Sequence, residues 1–285
     1  MTVIETFVPA KVNLTLHVTG RREDGYHLID SLAVFADIGD RLVFTLPGAY
    51  RLTVSGPMAR GVPADDDNLA IRAARMTGLR TDILLEKHLP HAAGLGGGSG
   101  DAAAALRVLS GFGGQPVPAD AIALGADIPL CLHARAARVR GIGDRVTPVP
   151  GLPTLDAVLV NPNQPVPTAK VFARLQGRYG PPMPETIPPL RAPGDLVGWL
   201  RDMRNDLEPP ATEFAPAIGQ ILDTLTRTPG CLLARMSGSG GTCFGIYNDA
   251  ETAGAAAGRL RESFPHWWVA ATRLNPPGRL GSALS

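Results

Sequence analysis

Residues 91–109 read HAAGLGGGSGDAAAALRVL, with glycine at 94, 96, 97, 98 and 100, serine at 99, and a run of alanine and leucine behind them. Glycine loses more backbone freedom on ordering than any other residue and is the poorest helix former after proline. One or two glycines suffice for a tight strand-to-helix connection; five in seven positions exceed that need. They suit a backbone that must approach a ligand closely. The first amides of a helix point outward together and carry partial positive charge. Glycines ahead of them clear the bulk that would keep a polyphosphate away. The stretch therefore predicts a phosphate cradle. Ser99 is expected as its N-cap or as a hydroxyl donor to a phosphate oxygen or its Mg²⁺. Asp101 is expected to point away from the anion or to contact a neighbouring amide.

Two other glycine motifs fail on spacing. A Walker A loop needs a lysine after its last glycine, and none follows here. The dinucleotide fingerprint GxGxxG meets Ser99 when counted from Gly94 and Asp101 when counted from Gly96. Its strand should also run straight into the first glycine, whereas PHAA intervenes.

The 285 residues, 45% of them hydrophobic, allow one large domain or two moderate ones. A net charge of +1 supplies no field to recruit nucleic acid or an anionic membrane, so an anionic ligand must be held by local geometry. Apolar runs are too short and broken for a membrane span. The start MTVIETFVPAK lacks the basic and apolar segments of a signal peptide, and a cytoplasmic protein is expected. Cys131, Cys231 and Cys243 have neither metal-ligand spacing nor an even count, and read as buried reduced thiols.

Around the cradle, KVNLTLHV (11–18) alternates apolar and polar residues as a half-buried strand does. GRREDGYHLID (20–30) is turn chemistry leading to the apolar run SLAVFADI, and 41–46, 51–56 and 81–89 read as further strands. Residues 65–78 are helical, with Asp65, Asp66 and Asp67 as N-cap candidates on a solvated loop rather than a metal site. The cradle leads into a helix at 101–111. A hairpin is expected at 137–149, a linker at VPGLPTL, a strand at 156–160, and irregular chain through 177–194. There follow a helix at 213–225, a strand, glycine turn and strand at 231–247, a helix at 251–264 and a strand at 266–274. Strands in runs, interleaved with helices without strict alternation, favour an α+β fold of two domains, 1–150 and 151–285.

PHAAGLGGGSGDAAAAL resembles the signature of the kinase superfamily of galactokinase, homoserine kinase, mevalonate kinase and phosphomevalonate kinase. PAKVNLTLHV and MSGSGGTCFGIY resemble its two terminal motifs. GRREDGYHLIDSL, LGADIPLCL, VPTAKVF and NDLE (205–208) narrow the resemblance to the branch that acts on a cytidine-diphosphate-linked methylerythritol, in the non-mevalonate route to isoprenoid precursors. The motifs run in the family's order from residue 8 to residue 247.

The resemblance implies a ribosomal-S5-like first domain, a ferredoxin-like second domain and a substrate cleft between them. It implies transfer of phosphate from ATP, with Mg²⁺, to the tertiary 2-hydroxyl of that small-molecule substrate. Lys11 and Asp127 match the catalytic pair. Pro90, His91, Ala92, Ala93, Gly94, Leu95, Gly96, Gly97, Gly98, Ser99 and Gly100 match the ATP-binding stretch. Tyr26, His27 and Phe172 match the cytosine pocket, and Asn13 and Thr168 match contacts to the substrate's hydroxyls and diphosphate. Gly100 stands where the family usually has a second serine, and HAA replaces a more glycine-rich approach; both bear on hydroxyl contacts rather than on the amides.

These roles are chemically reasonable. An alcohol is far more basic than a carboxylate, so Asp127 would orient the hydroxyl and take its proton late in a loose phosphoryl transfer. Lys11 would offset charge building on the phosphoryl oxygens. One of Tyr26 and His27 would stack on cytosine and the other read its edge, with Phe172 on the far face. In SGSGG, the amides of Gly238, Ser239 and Gly240 would meet the substrate's diphosphate opposite the first glycine loop. The plainer alternatives are Asp127 capping the turn before Pro129, Lys11 as a solvated edge charge, and Tyr26 and Phe172 as core anchors. Two rival functions are a kinase for homoserine or another small alcohol, which has no use for a base pocket, and a catalytically silent nucleotide-binding protein. Apart from help from Ser99, no dedicated carboxylate ligand pair for the metal is expected from the chain itself, and monomer and homodimer stay open.

Overall fold

A computed structural model describes residues 1–175, 177–277 and the backbone of 283–284; the remaining end of the expected second domain lies outside the described residues. The spine of the fold is one strand. β1 (Thr2–Asn13) and β2 (His17–Arg21) pair antiparallel with β3 (His27–Leu46), which runs unbroken for 20 residues. The two apolar runs at 31–38 and 41–46 are thus one strand. The acids at this junction are partnered in place: Asp37 accepts from Thr272 and Arg273, and Asp40 pairs with Lys87.

The expected strand at 11–18 is split. The chain leaves β1 after Asn13 and resumes pairing at His17. Asn13, Thr15 and His17 are all buried rather than half-exposed. Each has found a partner inside: Thr15 Oγ1 accepts the Leu32 N–H at 2.8 Å, and His17 Nε2 accepts the Arg204 N–H at 3.1 Å. Period-two alternation here separates two buried faces, one apolar and one hydrogen-bonded.

β4 (Leu52–Ser55) pairs in parallel with β5 (Asp82–Glu86), which lies on β3 at 41–45; β6 (Ala137–Gly141) lies on β3 at 29–33 and forms a hairpin with β7 (Arg145–Pro148). Helices α1 (Leu69–Met76), α2 (Gly97–Phe112) and α3 (Ile128–His133) accompany these strands. Ile71, Ala102, Ala105, Leu106, Leu109 and Ile128 pack on Val8, Leu42, Phe44 and Leu85. α1 is capped by Asn68, whose Oδ1 accepts the Ala70 N–H at 2.9 Å, and not by the three aspartates before it.

After residue 150 come β8 (Leu155–Asn161), β9 (Cys231–Met236), β10 (Cys243–Tyr247) and β11 (Trp268–Leu274), in the antiparallel order β9-β10-β8-β11. β11 joins the spine where Leu274 meets Ala36, and a two-residue β12 (Ala283–Leu284) borders β1. The helices are α4 (Thr168–Ala173), α5 (Pro193–Arg201), α6 (Glu208–Phe214), α7 (Ala217–Arg227) and α8 (Ala250–Ser263). On one face of these strands Val158, Val160 and Tyr247 pack against Ile221 and Leu225 of α7 and Ala256 and Leu260 of α8. On the other, Leu159, Phe244 and Ile246 pack against Val12, Leu14 and Val34 and against Leu196 and Leu200 of α5. The segments before and after residue 150 therefore share a core.

Sequence reasoning left out α5 and most of α6, because proline dominates their surroundings. Proline is accepted in a first helical turn, where its missing N–H has no partner to lose; α5 begins with Pro193, and α6 carries Pro209 and Pro210 directly after Glu208. The expected irregular chain at 177–194 is held by a buried arginine: Arg138 pairs with Asp30 and donates to the carbonyls of Pro184 and Glu185 at 2.9 and 2.7 Å.

Candidate active site

α2 starts at Gly97, four residues earlier than expected, so the glycine loop supplies the helix's own first turn. Gly96 is the N-cap with φ +67°, a left-handed conformation that glycine adopts without strain. Ser99 lies inside the first turn and is not the cap. The first helical bond runs from Gly100 N–H to the Gly96 carbonyl at 2.7 Å. The amides of Gly97, Gly98 and Ser99 precede it and have no place in the helical ladder.

The loop's oxygens face the other way. The Leu95 carbonyl accepts from Lys11 N–H at 2.8 Å, that of Ala93 from Thr242 N–H at 3.1 Å, and that of Gly94 from Ser237 Oγ at 3.2 Å. Acceptors are thus bound into the fold while the first-turn donors are left outside the helical ladder, which is the polarity an anion needs. The glycines divide by purpose. A Cβ on Gly94 would lie 2.6 Å from the Ser237 carbonyl, and one on Gly100 would lie 2.8 Å from Val8 Cγ1. These two serve packing, so close approach to a ligand accounts for fewer than five. Pro90, Ala93 and Leu95 are buried, leaving only backbone to offer, whereas His91 and Ala92 are exposed.

Lys11 stands near the end of β1, not at the start of a strand. Its stem lies against Gly96, where a Cβ would come within 3.2 Å of it. Its Nζ reaches Asp127 at 3.1 Å and Asn13 Oδ1 at 2.8 Å. Asp127 sits at the N-cap position of α3, yet its carboxylate makes no capping bond; it goes to Lys11. That geometry goes against the turn-cap alternative. The lysine side chain is 5% exposed and the aspartate 40%, so the carboxylate is the accessible member. Asn13 also donates to Ser31 Oγ at 2.8 Å, so it braces the lysine. A Cβ on Gly125 would lie 3.6 Å from Ser99 Oγ, which sets the loop carrying Asp127 beside the first turn of α2.

The second glycine turn, 237–241, touches the first. A Cβ on Gly238 would lie 3.1 Å from the Gly94 carbonyl and 3.3 Å from Asn13 Oδ1. Gly240 N–H is bonded to the Ser237 carbonyl at 3.2 Å within the turn. Ser239 Oγ is 2.7 Å from Thr168 Oγ1 at the start of α4. Asn205, in the NDLE motif, had no role from sequence; its Nδ2 donates to the carbonyls of Met236 and Gly238 at 2.8 and 3.0 Å and fixes this turn.

On α4, Phe172 stacks on His27 with centroids 4.8 Å apart, and Tyr179 approaches His27 edge-on at 6.1 Å. Burial holds the His27 imidazole below its ordinary value. Tyr26 is 61% exposed beside them. Tyr179 was missed, hidden in glycine- and proline-rich chain; its signal was the scarcity of aromatics, 5% of residues. Asp101 points away from the first turn, toward Lys87 at 3.0 Å. A cavity of about 650 Å³ near α1 is lined by Tyr50, Arg51 and Asp65–Asp67 and holds none of these residues. Asp66 there pairs with Arg75, and no group of three or more metal-ligating side chains occurs among the described residues.

Residues 68–146 match the GHMP kinases N-terminal domain family and residues 186–266 the GHMP kinases C-terminal family. The chain is 56% identical over 272 residues to the 4-diphosphocytidyl-2-C-methyl-D-erythritol kinase of Dinoroseobacter shibae, covering 95% of each chain. It is 51% identical over 268 residues to the protein of the same name from Paracoccus denitrificans, covering 94% of this chain and 96% of that one. A crystal structure of 4-(cytidine 5'-diphospho)-2C-methyl-D-erythritol kinase, 35% identical, superposes with a TM-score of 0.75 over 95% of this chain and 99% of that one.

Proposed function

The chain belongs to the GHMP kinases, and among them to the 4-diphosphocytidyl-2-C-methyl-D-erythritol kinases, and from this premise we propose how its residues divide the reaction. It is a small-molecule kinase with ATP as phosphate donor. The acceptor is the tertiary 2-hydroxyl of 4-(cytidine 5'-diphospho)-2-C-methyl-D-erythritol. The amides of Gly97, Gly98 and Ser99 receive the polyphosphate. Asp127 orients the hydroxyl and takes its proton as the bond to phosphorus forms, and Lys11 balances the negative charge on the transferring oxygens. Tyr26, His27, Phe172 and Tyr179 hold the cytosine. Gly238 and Ser239 offer amides, and Thr168 and Ser239 hydroxyls, to the substrate's diphosphate.

The observation that carries this reading is the Lys11–Asp127 pair at 3.1 Å, packed against the N-cap of α2 with its carboxylate open. A base, a cation and an anion-binding turn stand where one phosphoryl group can meet all of them. Mg²⁺ accompanies the ATP. Residues 1–150, with a ribosomal-S5-like topology, form the nucleotide half, and 151–285, ferredoxin-like, the substrate half of a cytoplasmic enzyme. A coupled assay offering ATP with a panel of alcohols tests the assignment. Phosphorylation of the cytidine-linked compound, and not of free methylerythritol or homoserine, is the expected result; equal rates on the free alcohol would remove the base pocket from the scheme.

A further inference from the structure

Beneath the first turn of α2 lie three charged side chains that the reaction does not use. Lys87, Asp40 and Asp101 are all buried. Lys87 Nζ donates to Asp40 Oδ2 and, at 3.0 Å, to Asp101 Oδ2. Asp40 Oδ1 accepts the N–H groups of His88 and Leu89 at 2.7 and 2.9 Å. Asp101 Oδ1 is buried without a partner. A Cβ on Gly97 would lie 3.2 Å from the ammonium, so the cluster touches the first residue of the helix.

Burying three charges is a poor way to stabilise a fold, because well-packed apolar residues of the same volume do as well or better. The topology supplies another reason. Asp40 lies opposite Val8 on β1, the strand that carries Lys11. His88 and Leu89 lead into the glycine loop, and Asp101 follows it. The ammonium therefore ties the entry and the exit of the loop to the strand pair behind the catalytic lysine.

We infer that Lys87 is a positioning residue for the nucleotide: held between Asp40 and Asp101, it fixes the amides of Gly97, Gly98 and Ser99 relative to Lys11 and Asp127. This role presupposes that the polyphosphate lies on the first turn of α2. It adds a residue that touches neither substrate and acts through the loop alone.

The test compares Asp101→Asn, which keeps an oxygen to accept from Lys87, with Asp101→Leu, of similar volume, which does not. Both remove the same charge. Calorimetry gives the Kd of a non-hydrolysable ATP analogue, and the coupled assay gives KM for ATP and for the alcohol. The Asn variant holds the analogue within about twofold of the parent. The Leu variant weakens it about tenfold, with KM for ATP rising in step and KM for the alcohol unchanged. A merely structural role would lower only the melting temperature and leave the two variants with equal nucleotide affinity; that result overturns the inference. If Asp101→Leu does not fold, the triple variant Lys87→Met, Asp40→Asn, Asp101→Asn takes its place, with no buried charge left over. A similar loss of nucleotide affinity supports the role, and parental affinity overturns it. Ser99→Glu tests the underlying placement separately. If the analogue still binds, the polyphosphate is not on α2. If binding is lost while the Asn and Leu variants match each other, only the role of Lys87 falls.

Discussion

Two lysines flank the start of α2, and each is paired with aspartate. Lys11 reaches Asp127, whose side chain is 40% exposed; Lys87 reaches Asp40 and Asp101, which are sealed in the core. Both ammonium groups are themselves buried, so burial of the cation does not separate chemistry from architecture. Access to the anion does. A carboxylate open to a cleft can meet a hydroxyl and take a proton, whereas one closed over by a helix can only hold its neighbours in place. On the proposed reading a ligand completes the first cluster, whereas the second is closed apart from Asp101 Oδ1, which lacks a partner.

The contrast breaks most clearly at Asp127. Asp127→Asn keeps the shape and removes the base, and turnover should fall by about 10²–10⁴ while the Kd for an ATP analogue stays within about twofold. Steady-state kinetics with calorimetry reads both; parental turnover would take Asp127 out of the chemistry. Removing the lysines should then reverse the order of damage. Lys87→Met leaves two buried carboxylates uncompensated and should lose about 3–5 kcal/mol in urea unfolding. Lys11→Met faces a partner open to solvent and should lose about 1 kcal/mol or less while abolishing turnover. Equal stability losses would mean that the two clusters do not differ as described.

The sealed cluster also titrates in its own direction. Burial and the neighbouring Asp40 raise Asp101 from 3.8 to about 7, against the pull of Lys87. Lys87, Asp40 and the Cys131 thiol are the groups facing it. The folded chain therefore holds that proton more tightly than the unfolded chain does. The stability this confers is full below pH 3.8 and is lost as pH rises through about 7. Asp101→Asn has no proton to lose, so its melting temperature should gain on the parent's as pH is raised across that window. A constant difference would place Asp101 in water or in a balanced ion pair.

How much of this was legible in the sequence follows the same division. Features built from contiguous residues were readable: the glycine loop, the hairpin at 137–149, the glycine turn at 237–241, and the helix and strand after residue 250. Lys11 and Asp127 were identified through motif resemblance, because 116 positions separate partners that meet only in the fold. Lys87, Asp40 and Asp101 were not identified as a group. Each is an ordinary charged residue in its local context, and nothing in spacing says that all three face inward. Asn205 and Arg138 were missed for the same reason: their partners are backbone carbonyls in distant loops and, for Arg138, the distant carboxylate of Asp30, none of which carries a signature in local sequence. The buried polar face of residues 13–17 misled because alternation reports two faces without saying which is wet.

The most local expected effect lies on α2 itself, where the contrast between open and sealed sides runs through adjacent residues. Ser99 borders the loop of Asp127, while Gly100 faces β1 with Val8 Cγ1 only 2.8 Å from where a Cβ would sit. A serine at 100, as the resemblance leads one to expect, would thus not simply restore a hydroxyl. Its Cβ would press on a β-branched side chain that is 1% exposed and has little freedom to yield. Gly100→Ser should destabilise by about 1–3 kcal/mol through overpacking, offset in part by the better helix propensity of serine. Val8→Ala should cost stability alone by opening a cavity, yet relieve most of the loss when combined with Gly100→Ser, because the serine side chain takes up volume that the valine truncation frees. Urea unfolding of the four species closes a double-mutant cycle with a favourable coupling. Additive losses would mean that the Val8 contact does not set residue 100, and the choice of glycine there would then have to come from the ligand side of the helix.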